Sequence, residues 1–328
     1  MKEPQERNYI MKIGVVGNGM IVGMFLHDAA LVANAEVISL CVRPHSLEKG
    51  EKIAAEYHIP KIETDYETFL KNPEIETVYV GIANLVHYEY AKKALEAGKH
   101  VILEKPFTVT GAEARELAKI AKEKNLFIWE AFIIPYLPAY QTVKDSVSKV
   151  GNVKLIQANY SKISSRYAQY LSGVILPAFD LSLAGGALYD LNIYNLHFTV
   201  GLFGKPKASH YYATKGYNGV DTSGIAVLEY DTFNAVCVAG KDSTSPSGFV
   251  IQGDAGTLQG KGSVSTLSEI KFSDKEGETI LAEFDGKIKL SYELTEFIRQ
   301  FEAKDYESCY QMLDHSVAVA EVVDELLS

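Results

Sequence analysis

The sequence predicts an α/β protein in which an N-terminal doubly wound parallel sheet is followed by an α+β domain of mainly antiparallel strands. Three observations carry this. Up to about residue 130, short β-branched runs alternate with amphipathic stretches, the pattern of parallel strands joined by helical crossovers. Past Pro135 and Pro138 strands follow one another with few helices between them. At 328 residues with 47% hydrophobic composition, the chain is longer than one core usually organises.

In the first half, strands are expected at 12–17, 37–43, 77–82, 100–104 and 127–131, with helices at about 19–33, 46–57, 87–98 and 110–124. Thr110 followed by Glu113 has the form of a capping box, and Gly98 stands where a helix C-terminus should stop. One more helix is expected over 139–150. Strands at 153–163, 225–230, 235–241 and 249–253 follow, interrupted by a helix at roughly 187–202 after Gly185 and Gly186. Strands without helical crossovers pair mainly antiparallel. The chain closes with helical patterns at about 291–303 and 306–327. The expected division is a dinucleotide-type domain over 11–132 and a second domain over 133–328, whose last helix can pack back on the first. Residues 1–10 are polar and are read as a flexible leader.

Composition excludes several classes of function. A net charge of −10 with no basic run argues against nucleic acid, which needs clustered Lys and Arg. No stretch approaches ~18 uninterrupted apolar residues, so no membrane span is expected. Cys41, Cys237 and Cys309 are widely spaced and form no CxxC, and no HxH or HExxH occurs among the eight histidines, so neither a disulfide framework nor a metal site is expected. A cytoplasmic protein acting on a small molecule fits best.

The chemistry starts at the first strand, which runs into Gly17-Asn18-Gly19-Met20-Ile21-Val22-Gly23. Glycines let backbone approach a pyrophosphate whose charge rests on the helix N-terminus, the fingerprint of a Rossmann domain. The match to GxGxxG is imperfect, because Val22 holds the third position and the glycine comes one residue late; a tight turn without a ligand is the competing explanation. The candidate contacts are Gly17, Gly19, Met20 and Ile21. The second strand ends near Arg43 and Ser46 rather than in an acidic residue. A cation there suits a 2′-phosphate, so NADP(H) is favoured with NAD(H) still admissible, against the alternative of a solvated arginine.

The segment Gly98-Lys99-His100-Val101-Ile102-Leu103-Glu104-Lys105-Pro106 resembles the GKHVxxEKP signature of the glucose–fructose oxidoreductase/inositol dehydrogenase (Gfo/Idh/MocA) family. Asn84-Leu85-Val86-His87, Trp129-Glu130-Ala131-Phe132 and Gly185-Gly186-Ala187-Leu188-Tyr189-Asp190 agree in order and spacing. The resemblance implies an NAD(P)-dependent oxidoreductase with a large open C-terminal sheet that commonly packs on a second subunit, giving a dimer or tetramer. It adds Ala83, Asn84, His87, Glu104 and Lys105 to the cofactor contacts and puts Lys105 near nicotinamide and substrate.

Asp190, Tyr194 and His197 stand at i, i+4 and i+7, so a regular helix would put all three on one face. Hydride transfer at a carbinol needs a proton donor or acceptor on the oxygen. Tyr194 is assigned that role; a Lys105 ammonium would favour the phenolate and bring its pKa toward the working range. Asp190 would orient substrate or lysine, and His197 would contact substrate. A core tyrosine, a surface lysine and a structural histidine are the bland alternatives. Three departures from the family pattern are Asn192 for glycine, Ala83 for proline and Pro135 for an arginine. The resemblance, with tyrosine at position 194 of the helix motif, implies alcohol–carbonyl interconversion on a sugar, polyol or dihydrodiol-type compound. The rivals are a non-catalytic dinucleotide-responsive regulator and a lyase or glycosidase that oxidises transiently with retained NAD.

Overall fold

A computed structural model describes residues 9–328. The leader expected over 1–10 therefore falls outside the described residues except for Tyr9 and Ile10, of which Tyr9 packs on Phe301 with ring centroids 5.2 Å apart.

The first layer system is a six-stranded, wholly parallel sheet made of β1 (Met11–Val16), β2 (Ala35–Cys41), β3 (Lys61–Glu63), β4 (Thr77–Val80), β5 (His100–Glu104) and β6 (Ile128–Ala131), in the order β3-β2-β1-β4-β5-β6. The helices α1 (Met20–Ala29), α2 (Leu47–Glu56), α3 (Tyr66–Leu70), α4 (His87–Glu96) and α5 (Gly111–Lys124) form its crossovers. Strands β4 and β6 are buried along their whole length, as parallel strands covered on both faces must be. The Thr110 hydroxyl accepts the Glu113 N–H at 3.2 Å and starts α5; Gly98, at φ +77°, closes the turn after α4. The expected five strands are joined by a sixth, β3, whose exposed Lys61 and half-buried Ile62 and Glu63 carry no apolar run. Strand β2 ends at Cys41, so Arg43 lies beyond the strand rather than at its tip.

After α6 (Pro138–Ser146) the chain builds an eight-stranded sheet from β7 (Val153–Ser161), β8 (Ala208–Lys215), β9 (Asp221–Glu229), β10 (Asn234–Gly240), β11 (Gly248–Gly253), β12 (Thr257–Lys261), β13 (Glu269–Asp274) and β14 (Gly277–Glu283). The order is β14-β13-β12-β11-β7-β10-β9-β8, antiparallel throughout except for the parallel β7–β10 pair. Between β7 and β8 lie the short α7 (Tyr167–Leu171), a π-helical turn at Leu188–Asn192 and α8 (Ile193–Phe203). Buried amides tie this turn to the sheet: Asn192 Nδ2 donates to the Cys237 carbonyl and Asn195 Nδ2 to the Val238 carbonyl, each at 3.0 Å. Asn192, the departure from the family glycine, thus anchors the turn.

The closing helices α9 (Ser291–Ala303) and α10 (Tyr306–Leu327) return to the first sheet. Asp324 accepts the Gly111 N–H at the start of α5 at 2.6 Å, and the Cys309 thiol donates to the Ile128 carbonyl in β6. Leu313 and Ala320 of α10 are buried in one core with Leu117 and Ala121 of α5.

Candidate active site

Lys105 follows the last residue of β5, at the carboxyl edge of the parallel sheet, where open α/β sheets hold their ligands. The Phe107 N–H donates to Glu130 Oε1 at 2.8 Å, and a ring nitrogen of the fully buried His87 lies 2.8 Å from the Pro106 carbonyl. Lys105 is thus projected from a braced segment.

Its Nζ donates to the Asp190 carbonyl at 3.0 Å and Asp190 Oδ1 at 3.3 Å, and stands over the Tyr194 ring, 4.8 Å from its centroid. Asp190 lies in the π-helical turn and Tyr194 in the first turn of α8. Burial opposes the Lys105 charge, but Tyr194, Asp190 and Glu104 together hold its pKa above the ordinary value. Burial also works against the Asp190 carboxylate, yet Lys105 and Lys241 keep it ionised well below the usual range. Burial raises the Tyr194 phenol while Lys105 pulls the other way; burial wins. The ammonium thus acts in the expected direction, but burial outweighs it and the phenol stays above its ordinary value.

The N-terminus of the same turn is held by a residue the sequence did not suggest. Asp221 Oδ2 accepts the Leu188 N–H at 2.7 Å and the Tyr211 hydroxyl at 2.6 Å. Gly186, at φ +122°, passes so close to it that a Cβ there would lie 1.8 Å from Asp221 Oδ1. Lys241, just beyond β10 and 1% exposed, was also missed; its Nζ lies 2.8 Å from Asp190 Oδ2. A cleft of about 590 Å³ lined by Lys162, Ser164, Tyr167, Leu171, Asp190 and Lys241 opens beside this group. A larger cavity of about 1150 Å³ is lined by Pro135, Tyr140, His197 and His315 and includes none of Lys105, Asp190 or Tyr194. The smaller cleft, lined by Asp190 and Lys241 but not by Lys105 or Tyr194, is the one that reaches this cluster.

His197 is not brought to it. Its side chain is wholly buried, stacked on Phe132 at 4.0 Å, with Nδ1 3.0 Å from His315 and Nε2 3.2 Å from Glu130. The π-helical turn adds a residue to one turn, so the i+7 position rotates away from Asp190.

At the other end, Gly17 adopts φ +113° and a Cβ there would meet the Gly81 carbonyl at 2.3 Å; around Gly19 a Cβ would meet nothing within 4 Å. Helix α1 begins at Gly19 without a side-chain cap and without an acidic residue in its first turn. Uncapped N–H groups beside bare glycine backbone are what a pyrophosphate needs, so this turn fits a dinucleotide. Met20 is 70% exposed and Arg43 is exposed, while Ile21 and Ser46 are half-buried around the turn. Asn84 Nδ2 donates to the Ala184 carbonyl at 2.9 Å, linking the loop after Ala83 to the segment that leads into Gly186. His87 and Glu104 depart from expectation, because both side chains face the domain interior. Glu104 accepts from the Tyr79 hydroxyl at 2.7 Å, and burial pushes its carboxyl up to about 7. The cysteines are buried, and among the described residues no cluster of His, Cys, Asp and Glu could hold a metal. No helix among them is long and apolar enough to cross a membrane.

Comparison with known proteins agrees with this layout. Residues 11–132 match the model of an oxidoreductase family with an NAD-binding Rossmann fold (GFO_IDH_MocA), and residues 140–259 match the GFO/IDH/MocA C-terminal domain. The chain is 30% identical to scyllo-inositol 2-dehydrogenase (NADP(+)) of Bacillus subtilis over 96% of each chain. It is 29% identical to trans-1,2-dihydrobenzene-1,2-diol dehydrogenase of Xenopus tropicalis over 97% of this chain and 96% of that one. The fold is shared with a 3-ketoreductase from Actinomadura kijaniata solved with NADP and TDP-benzene, at a TM-score of 0.83, 20% identity and 97% coverage of both chains.

Proposed function

The chain belongs to the GFO/IDH/MocA oxidoreductase family, and on that premise we propose that this NAD(P)-dependent oxidoreductase interconverts a secondary alcohol and a carbonyl on a sugar, polyol or dihydrodiol-type substrate, with Tyr194 as the acid/base and Lys105 as its partner. The observation that carries the reading is the Lys105–Asp190–Tyr194 cluster at the carboxyl edge of the parallel sheet, where Asp190 opens onto the 590 Å³ cleft.

A nicotinamide cofactor held through its pyrophosphate at the Gly17–Gly19 turn would supply or take up the hydride. The protein's own work is proton management and orientation. In reduction, the half-buried Tyr194 donates its phenolic proton to the carbonyl oxygen, and the Lys105 ammonium stabilises the negative charge that develops there. In oxidation the carbinol proton returns to Tyr194. Asp190 holds Lys105 in place and keeps it charged. Arg43 and Ser46 beside the turn support NADP over NAD, in keeping with the NADP named for the Bacillus relative.

The outer face of the eight-stranded sheet exposes Ile225 and Tyr212, and self-association of this sheet as a homo-oligomer in the cytoplasm belongs to the same reading. The test is cofactor-linked turnover of a panel holding scyllo-inositol, free aldoses and a trans-dihydrodiol, with wild type beside Tyr194→Phe. Turnover with at least one class, lost by about 10²-fold or more in the variant while NADPH still binds, is expected. Cofactor binding with no turnover of any compound would favour a regulator.

A further inference from the structure

We propose that Lys241 is a positioning residue of this site: by holding one oxygen of Asp190 it confines the other to Lys105 and keeps a Lys105 N–H on the Tyr194 side. The proposal rests on the reading that Lys105 works on the substrate oxygen, but it is tested separately from turnover.

Lys241 is a wholly enclosed ammonium at the end of a central strand of the second sheet. Each direction it can point is spoken for: Nζ donates to the Ala178 carbonyl at 2.6 Å, lies 2.8 Å from Asp190 Oδ2, and sits 4.7 Å from the Phe179 ring centroid. A charge so enclosed is costly unless paired, and Asp190 is the anion that pairs it. The same carboxylate meets Lys105 through its other oxygen at 3.3 Å. Asp190 therefore bridges two cations, one from each sheet, while its side chain stays 41% exposed to the cleft.

The bridge matters because a carboxylate facing a single ammonium is free to swing and offer it both oxygens. Were Lys241 absent, Asp190 would turn fully onto Lys105 and bind it more tightly. With Oδ2 taken, Lys105 receives one side-chain oxygen and the Asp190 carbonyl, and its remaining N–H lies against the Tyr194 ring, where a reacting oxygen must also come.

The experiment reads Lys105 directly. Trace acetylation with acetic anhydride at a fixed alkaline pH, followed by mass spectrometry of the Lys105 peptide, reports how freely that amine gives up its proton. In the full-length Lys241→Met variant the Lys105 rate should fall about three- to tenfold, because the undivided carboxylate holds the ammonium more strongly. Lys241→Arg, which can still pair with Asp190, should stay within about twofold of wild type. In an Asp190→Asn background the Lys241→Met effect should vanish. An unchanged Lys105 rate in Lys241→Met, or an effect that persists at full size in the Asp190→Asn background, would overturn the proposal; the latter outcome would mean that Lys241 acts only through its charge at a distance. If Lys241→Met does not fold, Lys241→Gln takes its place in the same comparisons. Failure of the panel in the preceding section leaves these rates readable, so the two failures are distinguishable.

Discussion

Lys105 Nζ lies 3.3 Å from Asp190 Oδ1 although the two residues are 85 positions apart and belong to segments that pack on different sheets. The contact spans the two halves of the chain, so the site exists only when both are folded against each other.

Lys105→Met should lower kcat/KM by about a hundredfold or more, since it deletes the cation next to the developing oxyanion. The fold should survive, because Lys241 still neutralises Asp190 and no buried charge is stranded. Steady-state kinetics beside a thermal melt check both halves; a collapse of the melting temperature with kinetics unchanged would make Lys105 structural.

Arg43→Asp should turn cofactor preference toward NAD. One charge-assisted hydrogen bond to a 2′-phosphate contributes about 1.5–3 kcal/mol, or roughly 10- to 100-fold in the ratio of kcat/KM for NADP over NAD. A ratio that does not move would assign the exposed Arg43 to solvent.

Gly186→Ala should destabilise the protein by roughly 2 kcal/mol or more, because its methyl group would overlap Asp221 Oδ1 and because φ +122° is closed to alanine. Gly204→Ala is the control: φ is also positive at +78°, but nothing stands within 4 Å of the added carbon. Denaturant melts of the two should differ in the order given. Turnover of Gly186→Ala should fall as well, since the Asp221 bond to Leu188 starts the turn that carries Asp190.

His100 gives the stability a slope on the acid side. Burial lowers its pKa from 6.5 to about 4, and its Nδ1 accepts the Phe127 N–H at 2.9 Å, which requires the unprotonated ring nitrogen. Between those values the unfolded chain binds the proton and the folded one does not, so stability rises with pH through this window and is lost as pH falls. The loss attributable to this residue is about 3 kcal/mol at most. His100→Gln, whose amide oxygen can accept the same N–H, should flatten the melting temperature between pH 6.5 and 4; an unaltered slope would place the effect elsewhere.

Much of this was legible in the sequence because it is written locally. Thr110 with Glu113, Gly98 and the glycines after β1 each encode a turn or cap within a few residues. The EKP segment and Asp190 with Tyr194 are likewise local. Strand β3 was not legible, because three residues, one exposed and two half-buried, carry no period. His197 was misplaced because helical spacing assumes 3.6 residues per turn, and the π-helical turn at Leu188–Asn192 breaks that count. Lys241 and Asp221 were missed because the contacts that give them meaning, with Asp190 and Ala178 for one and with Leu188 for the other, lie more than 30 positions away. A signal did exist for Lys241: like Lys105, it is a lone cation that closes an otherwise apolar strand.

The return of α10 to α5 and β6 also sets an order of events during synthesis. Leu313 and Ala320 complete the core under α5, so the nucleotide-binding half cannot close when residue 132 leaves the ribosome. At translation rates of about 5–20 residues per second, the rest of the chain takes on the order of ten seconds or more to arrive. Until then the α10-facing side of α5 is an uncovered apolar surface.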